Sequence, residues 1–398
     1  MPRPAHIAMI GTPLVSHVLP SLEIIRELVA RGHRVTYANT DHTGELIAQT
    51  GAELVPLTST LPLAHQDWPQ DPIAGASLFL DEAMAVLPQL HAAYDDDPAE
   101  LYLYDIGAYA GRALAEAQGR AAVQLSPTHV AWEGAREEIG AAFAGLPGGP
   151  AYRARFAAWL ERCGAQTTNV EEFTGHPERV LAMIPRALQP HADRVDTEAV
   201  TFVGPCFGAG EEDGWMRPAG AQKVLLVSLV GSGHPRPQMI YQQCVAAFAD
   251  LPGWHVVLQT GSDSDSDPSE LTERIPPNFE VRPWTSPLTI LEHADACVTY
   301  TGMATSSECL YAGVPVIAVP DGAEQCRYAE RLVELGVARQ VNTADLTAAA
   351  LRTALMELIG DPRIAARSSW LWAEVRAEGG TRRAADLIEK QLTEERVG

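Results

Sequence analysis

The sequence predicts an α/β protein made of two Rossmann-like domains, whose parallel sheets face each other across a cleft. Short runs of β-branched and other apolar residues alternate with amphipathic stretches, which is the pattern of parallel strands joined by crossover helices. A segment rich in glycine, proline and glutamate interrupts this alternation at residues 204–220, after which the alternation starts again. With 398 residues, each half is long enough to bury its own core.

The first half contains the elements of one such domain. Strands are predicted at residues 6–10, 34–38, 101–104, 122–125 and 179–184, and helices at residues 21–31, 76–93, 108–117 and 152–163. Gly32 is expected to end the helix at 21–31. Pro88 is expected to kink or break the helix at 76–93, because a proline inside a helix removes a backbone hydrogen bond.

The second half repeats the alternation. Strands are predicted at residues 224–229, 255–259, 296–300 and 316–319, and helices at residues 237–249, 288–294, 304–312, 323–335, 346–359 and 381–392. We therefore predict a first domain at residues 1–205, a linker at 206–222 and a second domain at 223–375. Residues 376–398 are predicted to form a C-terminal helix that packs back on the first domain. Ligands of such sheets bind at the carboxyl ends of the strands.

Composition argues against several classes of protein. The formal net charge of −22 disfavours nucleic acid and anionic membranes as partners. No apolar run long enough for a membrane helix is evident, and the apolar run at residues 7–10 is too short for a signal peptide, so we expect a cytoplasmic protein. Six cysteines lie far apart without CxxC spacing and are expected to be buried thiols.

Two side chains of the first half suggest acid/base chemistry. His17 follows the first strand and precedes a helix whose start is predicted at Pro20 and Ser21. Asp105 follows the strand at 101–104, and strand ends of one parallel sheet converge on the same crevice. The carboxylate could then orient the imidazole as a proton acceptor. The alternatives are a surface histidine, and an aspartate that caps the helix at 108–117.

The second half carries candidate phosphate-binding loops. Between the strand at 296–300 and the next helix, Gly302 and the hydroxyls of Thr305 and Ser306 could present a helix N-terminus to a diphosphate. Glu308, one turn further on, could accept hydrogen bonds from ribose hydroxyls. The Gly-Ser-Gly turn around Ser232 is a weaker candidate, and Trp284 could stack on a base. The alternatives are a capped helix, an ordinary turn and a packed tryptophan.

One acidic repeat resembles the opening of a calcium loop. Residues 263–267 alternate aspartate and serine. Pro268 stands where such a loop needs glycine, and Arg274 where it needs glutamate. We therefore predict a solvated loop and no metal site.

Taken together, these motifs resemble those of the macrolide glycosyltransferases, which are inverting enzymes of the two-Rossmann (glycosyltransferase B) fold. The resemblance covers nearly the whole chain and includes residues 21–23, 27–38, 187–190, 201–204 and 379–385. It implies that His17 is the base and Asp105 its partner, that Ser232 lies near the donor phosphates, and that Trp284 stacks on uracil. It also implies that Glu308 binds ribose and that Glu324 and Gln325 hold the donor sugar.

The departures from the family pattern are concentrated in the donor loops. Tyr300 replaces a phosphate-binding histidine, and it can still donate one hydrogen bond to phosphate but carries no positive charge. Ala304 and Thr305 replace glycines, Pro287 stands where a glutamine is usual, and Val230 is an insertion. These changes predict a weakened or altered donor site.

The leading hypothesis is inverting transfer of a sugar from a UDP- or TDP-linked donor to a hydroxyl of an apolar, macrolide-like natural product. It requires a small-molecule acceptor and a nucleotide sugar as co-substrate, with no metal and no further cofactor. It involves neither nucleic acid nor membrane, and a homodimer is compatible with it. The alternatives are a repurposed acid/base enzyme that works without a sugar donor, and a non-catalytic partner protein.

Overall fold

The computed structural model describes residues 3–63, 68–208, 215–229, 237–260, 275–282 and 287–395. The chain divides into two compact units. The first comprises Met1–Phe207 together with Glu378–Gly398, and the second comprises Gly208–Ala377. Each unit has its own sheet, and every strand pair in both sheets is parallel. The prediction of two Rossmann-like units is confirmed.

The first unit contains a seven-stranded sheet with the order β3-β2-β1-β4-β5-β6-β7. Its strands are β1 (His6–Ile10), β2 (Arg34–Asn39), β3 (Glu53–Pro56), β4 (Leu101–Asp105), β5 (Ala122–Ser126), β6 (Val180–Ala182) and β7 (Val200–Phe202). The helices described before residue 208 are α1 (Val15–Ala30), α2 (Gly44–Ala48), α3 (Pro72–Tyr94), α4 (Tyr109–Ala117), α5 (Ala135–Gly145), α6 (Gly149–Cys163) and α7 (Val170–Gly175).

Alternating side chains of the strands supply two cores, one on each face of this sheet. In β1, Ile7 and Met9 belong to one core, whereas Ala8 and Ile10 belong to the other. All four residues are at most 1% exposed. A strand that is buried on both faces is expected to be apolar throughout, which is why the first strand could be identified from sequence.

Helix α3 differs from its prediction. It runs without a break from Pro72 to Tyr94 with Pro88 inside it, and Asp71 caps its start by accepting a hydrogen bond from the Ala74 N–H at 2.7 Å. By length and composition alone this helix could span a bilayer. However, Leu80 and Leu90 are fully buried, and the helix packs on α4 and α6. Its packing is that of a core helix, and the same packing explains why one proline does not end it.

The second unit contains a six-stranded sheet with the order β10-β9-β8-β11-β12-β13. Its strands are β8 (Lys223–Ser228), β9 (Trp254–Gln259), β10 (Phe279–Arg282), β11 (Ala296–Thr299), β12 (Val316–Ala318) and β13 (Ala338–Gln340). The helices described in this unit are α8 (Pro237–Phe248), α9 (Pro287–Leu291), α10 (Met303–Ala312), α11 (Ala323–Glu334), α12 (Ala348–Gly360) and α13 (Pro362–Ala377).

The C-terminal helix α14 (Gly380–Glu395) belongs to the first unit and packs on α1. Arg31 forms ion pairs of 2.7 Å with both Asp386 and Glu389 of this helix. His33 lies 3.1 Å from the second of these carboxylates. At the start of the helix, the N–H of Gly380 donates to the carbonyl of Val203 at 2.7 Å. Charge pairing and backbone bonding therefore fix the end of the chain to the first unit.

The cysteines differ partly from the prediction. Cys206, Cys244, Cys297 and Cys309 are buried, whereas Cys163 and Cys326 are partly exposed, and all six are free thiols. Cys163 ends α6, and Cys326 lies in the first half of α11. Both helices are partly exposed to solvent, which is why these two thiols are not fully buried.

Candidate functional site

Each sheet has one position where the strand order reverses, and several of the candidate residues follow the strands that flank these positions. In the first unit the reversal lies between β1 and β4, whose residues Ile10 and Tyr104 are paired. In the second unit it lies between β8 and β11, where Ser228 pairs with Thr299. Ligands of open α/β sheets bind beyond the carboxyl ends of the strands at such reversals. Topology therefore selects the loops after β1, β4, β8 and β11.

His17 and Asp105 lie together in the first unit. The imidazole Nδ1 of His17 is 3.0 Å from both carboxylate oxygens of Asp105. The aspartate side chain is 1% exposed and the histidine side chain 22% exposed. Because the carboxylate only accepts hydrogen bonds, Nδ1 carries the proton and donates it, which leaves Nε2 as the basic nitrogen of the ring.

The structure corrects the predicted surroundings of His17. Helix α1 begins at Val15, so His17 lies in its first turn and not in a loop, and Pro20 is inside the helix. The N–H groups of His17 and Val18 both donate to the carbonyl of Leu14, at 2.8 and 3.0 Å. The helix thus starts before the proline, whose missing N–H affects one bond of the second turn. A histidine on a helix has a more restricted position than one in a loop.

Asp105 is not the cap of the following helix. The cap position of α4 is Ala108, which makes no side-chain cap bond. The Asp105 carboxylate instead accepts a hydrogen bond from the Gly107 N–H at 2.8 Å, and its own carbonyl accepts one from the Ala108 N–H at 2.8 Å. These bonds fix the carboxylate against the turn after β4 while it faces His17. The observed geometry excludes the capping alternative.

The start of α1 is tied to the neighbouring strand β2. Gly11 follows β1, and a Cβ at this position would lie 2.8 Å from side-chain atoms of both Tyr37 and Asn39. Ser21 of α1 donates to the carbonyl of Val18 at 2.8 Å and lies 3.0 Å from the Tyr37 hydroxyl. Only glycine allows this close approach. The helix that carries His17 is therefore held against the sheet by buried contacts.

A cavity of about 210 Å³ lies in the same unit. Elements α3 to α7 contribute to its lining, which is mainly apolar and aromatic and includes Ala76, Tyr109, Ile139, Phe143, Tyr152 and Val170. Arg153 and Glu171 also line it and pair with each other at 2.9 Å. Burial, with a further contribution from the negative charge of Asp105, raises the pKa of Tyr109 to about 12. Tyr109, which lines the cavity, is therefore close enough to that carboxylate to be affected by its charge.

In the second unit, the turn after β11 leads directly into α10. Gly302 is the cap residue of this helix and makes no side-chain cap bond, and the first helical bond runs from the Ser306 N–H to the Gly302 carbonyl at 2.9 Å. The N–H groups of residues 303–305 therefore have no acceptor within the helix. A helix start of this kind attracts phosphate. Thr305, in this first turn, is partly exposed.

Tyr300, the predicted phosphate contact, is buried at the end of β11. It is 2% exposed and belongs to the hydrophobic core of the second unit. Burial raises the pKa of nearby Tyr241, with a further contribution from Tyr300, and the Tyr241 hydroxyl donates to the carbonyl of Gln259 at 2.9 Å. A direct bond from Tyr300 to a phosphate stays a prediction, and it would require the side chain to leave the core.

Glu308 and Ser306 lie further along α10. Burial raises the pKa of Glu308 to about 8, so the carboxyl is mainly protonated at neutral pH. The Ser306 hydroxyl is buried and has no hydrogen-bond partner among the described residues. A partly exposed, protonated carboxyl and an unsatisfied hydroxyl on one helix form a polar region that a ligand with hydroxyl groups would satisfy.

The raised pKa of Glu308 makes a prediction about stability. The folded protein keeps a proton that the unfolded chain has lost above about pH 4.3. The free energy of unfolding should therefore fall between about pH 4.3 and 8, by at most about 1.4 kcal/mol per pH unit, since solvent reaches part of the residue. Glu308→Gln should remove this contribution.

Urea unfolding at pH 5.5, 7.0 and 8.5 measures the effect. The variant should gain stability relative to the wild type as the pH rises. Exposed Glu330, on α11, provides the control substitution Glu330→Gln, which should change nothing. An equal pH dependence for the wild type and the Glu308 variant would show that the carboxyl is ionised in the folded protein.

Glu324 and Gln325 lie in the first turn of α11, after its cap residue Gly322. The amide oxygen of Gln325 accepts a hydrogen bond from the Asp321 N–H at 2.8 Å. A Glu324 oxygen accepts one from the Tyr328 hydroxyl at 2.9 Å. Both side chains are thus fixed at the start of the helix, where the Gln325 amide nitrogen and the second Glu324 oxygen are suited to binding sugar hydroxyls.

Four sequence-based predictions lie outside the described residues. These concern Ser232 and its glycine turn, the insertion at Val230, the stacking residue Trp284, and the acidic repeat at 263–267. Val230 and Ser232 follow β8 in the sequence, and Trp284 follows β10. Among the residues with described positions, no group of three or more histidine, cysteine or acidic side chains could hold a metal ion.

A methyl group at Gly302 tests whether a ligand approaches this helix start. Gly302 has φ −61° and ψ 156°, which alanine also adopts, and a Cβ there would meet no atom within 4 Å. Gly302→Ala should therefore fold normally, with a small loss from the poorer cap residue. It should weaken the binding of UDP or TDP at least about tenfold, because the methyl group would occupy the space of the phosphate.

Isothermal titration calorimetry of the two proteins measures this loss. Gly360→Ala is a matched control, because a Cβ at Gly360 also meets nothing within 4 Å and the residue ends α12. Unchanged nucleotide affinity in Gly302→Ala would exclude the start of α10 as the phosphate site.

Comparison with known proteins gives consistent results. Residues 256–389 match the family model described as Erythromycin biosynthesis protein CIII-like, C-terminal domain. The chain is 48% identical to the oleandomycin glycosyltransferase of Streptomyces antibioticus, over 98% of this chain and 91% of that protein. It is 33% identical to the NDP-glycosyltransferase YjiC of Bacillus licheniformis, over 97% and 98% of the two chains. The crystal structure of the glycotransferase of kitacinnamycin superposes with a TM-score of 0.88 at 47% identity, covering 98% of this chain and 100% of that one.

Proposed function

We propose that this chain, which belongs to the macrolide glycosyltransferase family, transfers a sugar from a nucleoside diphosphate donor to a hydroxyl of an apolar natural product with inversion at the anomeric carbon. The chain is an enzyme of the glycosyltransferase class. The observation that carries the proposed mechanism is the His17–Asp105 pair, with 3.0 Å between Nδ1 and the carboxylate, at the strand-order reversal of the first sheet.

His17 is the base in this mechanism. Its Nε2 takes the proton of the acceptor hydroxyl as the hydroxyl oxygen attacks the anomeric carbon of the donor sugar. The bond from that carbon to the diphosphate oxygen breaks, and the nucleoside diphosphate leaves from the opposite face, which inverts the configuration. Asp105 holds the ring in the tautomer that accepts at Nε2 and stabilises the imidazolium that forms.

The donor-binding role falls to the second unit. The first-turn N–H groups of α10 stabilise the charge on the diphosphate, and Glu308 accepts from the ribose. Glu324 and Gln325 bind the sugar. Ser232 and Trp284 are proposed to contact the phosphates and the base. One relative is named an NDP-glycosyltransferase, which supports a nucleotide-linked donor. No metal or further cofactor is required, since the helix start stabilises the leaving group.

The acceptor-binding role falls to the first unit. Its cavity of about 210 Å³ is lined mainly by aromatic and aliphatic side chains. That volume is below the usual range of about 300–1,000 Å³ for sites that enclose a drug-sized ligand. The cavity would therefore hold an apolar part of the acceptor and not the whole molecule. The relative named for oleandomycin supports an acceptor of the macrolide type.

Calorimetric titration with UDP, TDP and their glucose conjugates tests the proposal. Binding with micromolar dissociation constants supports transfer. Absence of binding at millimolar nucleotide would contradict it, and would favour an acid/base enzyme that uses the His17–Asp105 pair without a sugar donor. Tyr300, Ala304 and Thr305 differ from the family pattern in the donor loop, so the titration decides whether this loop still binds a nucleotide sugar.

A further inference from the structure

Thr301, between β11 and the cap residue of α10, has an unfavourable backbone conformation. Its φ of 63° lies in the left-handed region. A β-branched residue is rare there, because its side chain crowds the backbone. The residue is completely buried. Strained conformations persist only where surrounding contacts impose them, and they concentrate at functional sites.

The contacts that impose this conformation join two segments of the second unit. The Thr301 hydroxyl lies 3.0 Å from the carbonyl oxygen of Gln325 and also within hydrogen-bond distance of the carbonyl of Tyr300. Its N–H donates to the Thr299 hydroxyl at 3.2 Å. The bond to Gln325 crosses 24 residues of sequence and connects the turn before α10 with the first turn of α11.

These two helix starts carry different parts of the proposed donor site. The first turn of α10 offers N–H groups to the diphosphate, whereas the first turn of α11 offers Glu324 and Gln325 to the sugar. A nucleotide sugar must contact both at once, so its affinity depends on the distance between them. A nucleoside diphosphate without a sugar does not need Glu324 and Gln325 at the start of α11.

We propose that Thr301 is a positioning residue that fixes the start of α10 relative to the start of α11, so that the two bind the diphosphate and the sugar of one donor together. The inference rests on the proposed function. The proposal predicts a difference between two ligands: loss of the Thr301 hydroxyl should weaken binding of the nucleotide sugar more than binding of the nucleotide. A residue that only stabilises the fold would affect both ligands alike.

Three substitutions test the effect of the Thr301 hydroxyl separately from the effect of its backbone strain. Thr301→Val keeps the shape and removes the hydroxyl, Thr301→Ser keeps the hydroxyl, and Thr301→Gly removes both the hydroxyl and the strain. By calorimetry, the valine and glycine variants should bind UDP-glucose about five- to tenfold more weakly, as expected for one lost hydrogen bond, and UDP within about threefold of the wild type. The serine variant should match the wild type for both ligands within the same factor.

Thermal unfolding accompanies the titrations. Thr301→Gly should melt no lower than Thr301→Val, because glycine relieves the strain at φ 63°. Should the valine variant not fold, the glycine variant still tests the hydroxyl. Thr43→Val is a matched control in the first unit, since Thr43 is also completely buried and donates to the Thr40 carbonyl at 3.2 Å. It should lower the melting temperature without changing either affinity.

Equal losses for UDP and UDP-glucose, or no loss for either, would overturn the inference, as would a serine variant as impaired as the valine variant. Failure of the proposed function gives a different result, because the wild-type protein itself would then bind neither ligand.

Discussion

His17→Ala protein should transfer sugar about 10²–10⁴-fold more slowly than the wild type, which is the usual contribution of a positioned general base. Its affinity for the nucleotide should stay the same, because the proposed nucleotide contacts belong to the second unit and His17 to the first. The loss should appear in kcat, since removal of Nε2 leaves the acceptor hydroxyl without a group to take its proton. Steady-state rates with varied donor and acceptor measure both parameters.

A second histidine–aspartate pair provides the control. His91 lies 2.9 Å from Asp95 near the end of α3, where both side chains are exposed to solvent. His91→Ala should leave kcat unchanged and should alter stability only slightly, as is usual for exposed ion pairs. A His17→Ala rate within about threefold of the wild type would exclude His17 as the base.

Asp105→Asn should lower kcat by a comparable factor, about 10²–10⁴, without unfolding the protein. The asparagine oxygen can still accept the hydrogen bond from the Gly107 N–H. Its amide group, however, presents a donor to His17 Nδ1. The imidazole must then accept at Nδ1 and carry its proton on Nε2, which is the wrong tautomer for a base.

Asp95→Asn is the corresponding control, because it makes the same change in the exposed pair. Circular dichroism and thermal unfolding of Asp105→Asn show whether the fold is kept. A folded Asp105→Asn protein with the wild-type kcat would mean that the carboxylate neither selects the tautomer nor stabilises the imidazolium.

The sequence predicts most of the fold because the central strands are buried on both faces. Residues 7–10, 101–104 and 296–298 of these strands are continuous apolar runs, and the order of elements follows from their alternation with helices. Short edge strands such as Glu53–Pro56 and Ala338–Gln340 escape prediction, because few residues carry their pattern. The early start of α1 escapes it because Pro20 looks like a first-turn proline but lies inside the helix.

The candidate site is predictable where topology defines it. His17 and Asp105 follow neighbouring strands at the reversal of the first sheet, so their contact follows from the strand order. The burial of Tyr300 and the left-handed backbone of Thr301 are not predictable in this way. They depend on how α10 and α11 pack on the second sheet, and local sequence holds no signal for that packing.

The anomeric configuration of the product tests the central claim most directly. UDP-glucose, which carries an α linkage, would be incubated with the protein and with oleandomycin as acceptor, and the product examined by NMR. Direct attack by a hydroxyl activated at His17 predicts a β-glucoside, and its formation should be nearly abolished in His17→Ala protein. An α-glucoside, or a β-glucoside formed at the same rate without His17, would contradict the mechanism.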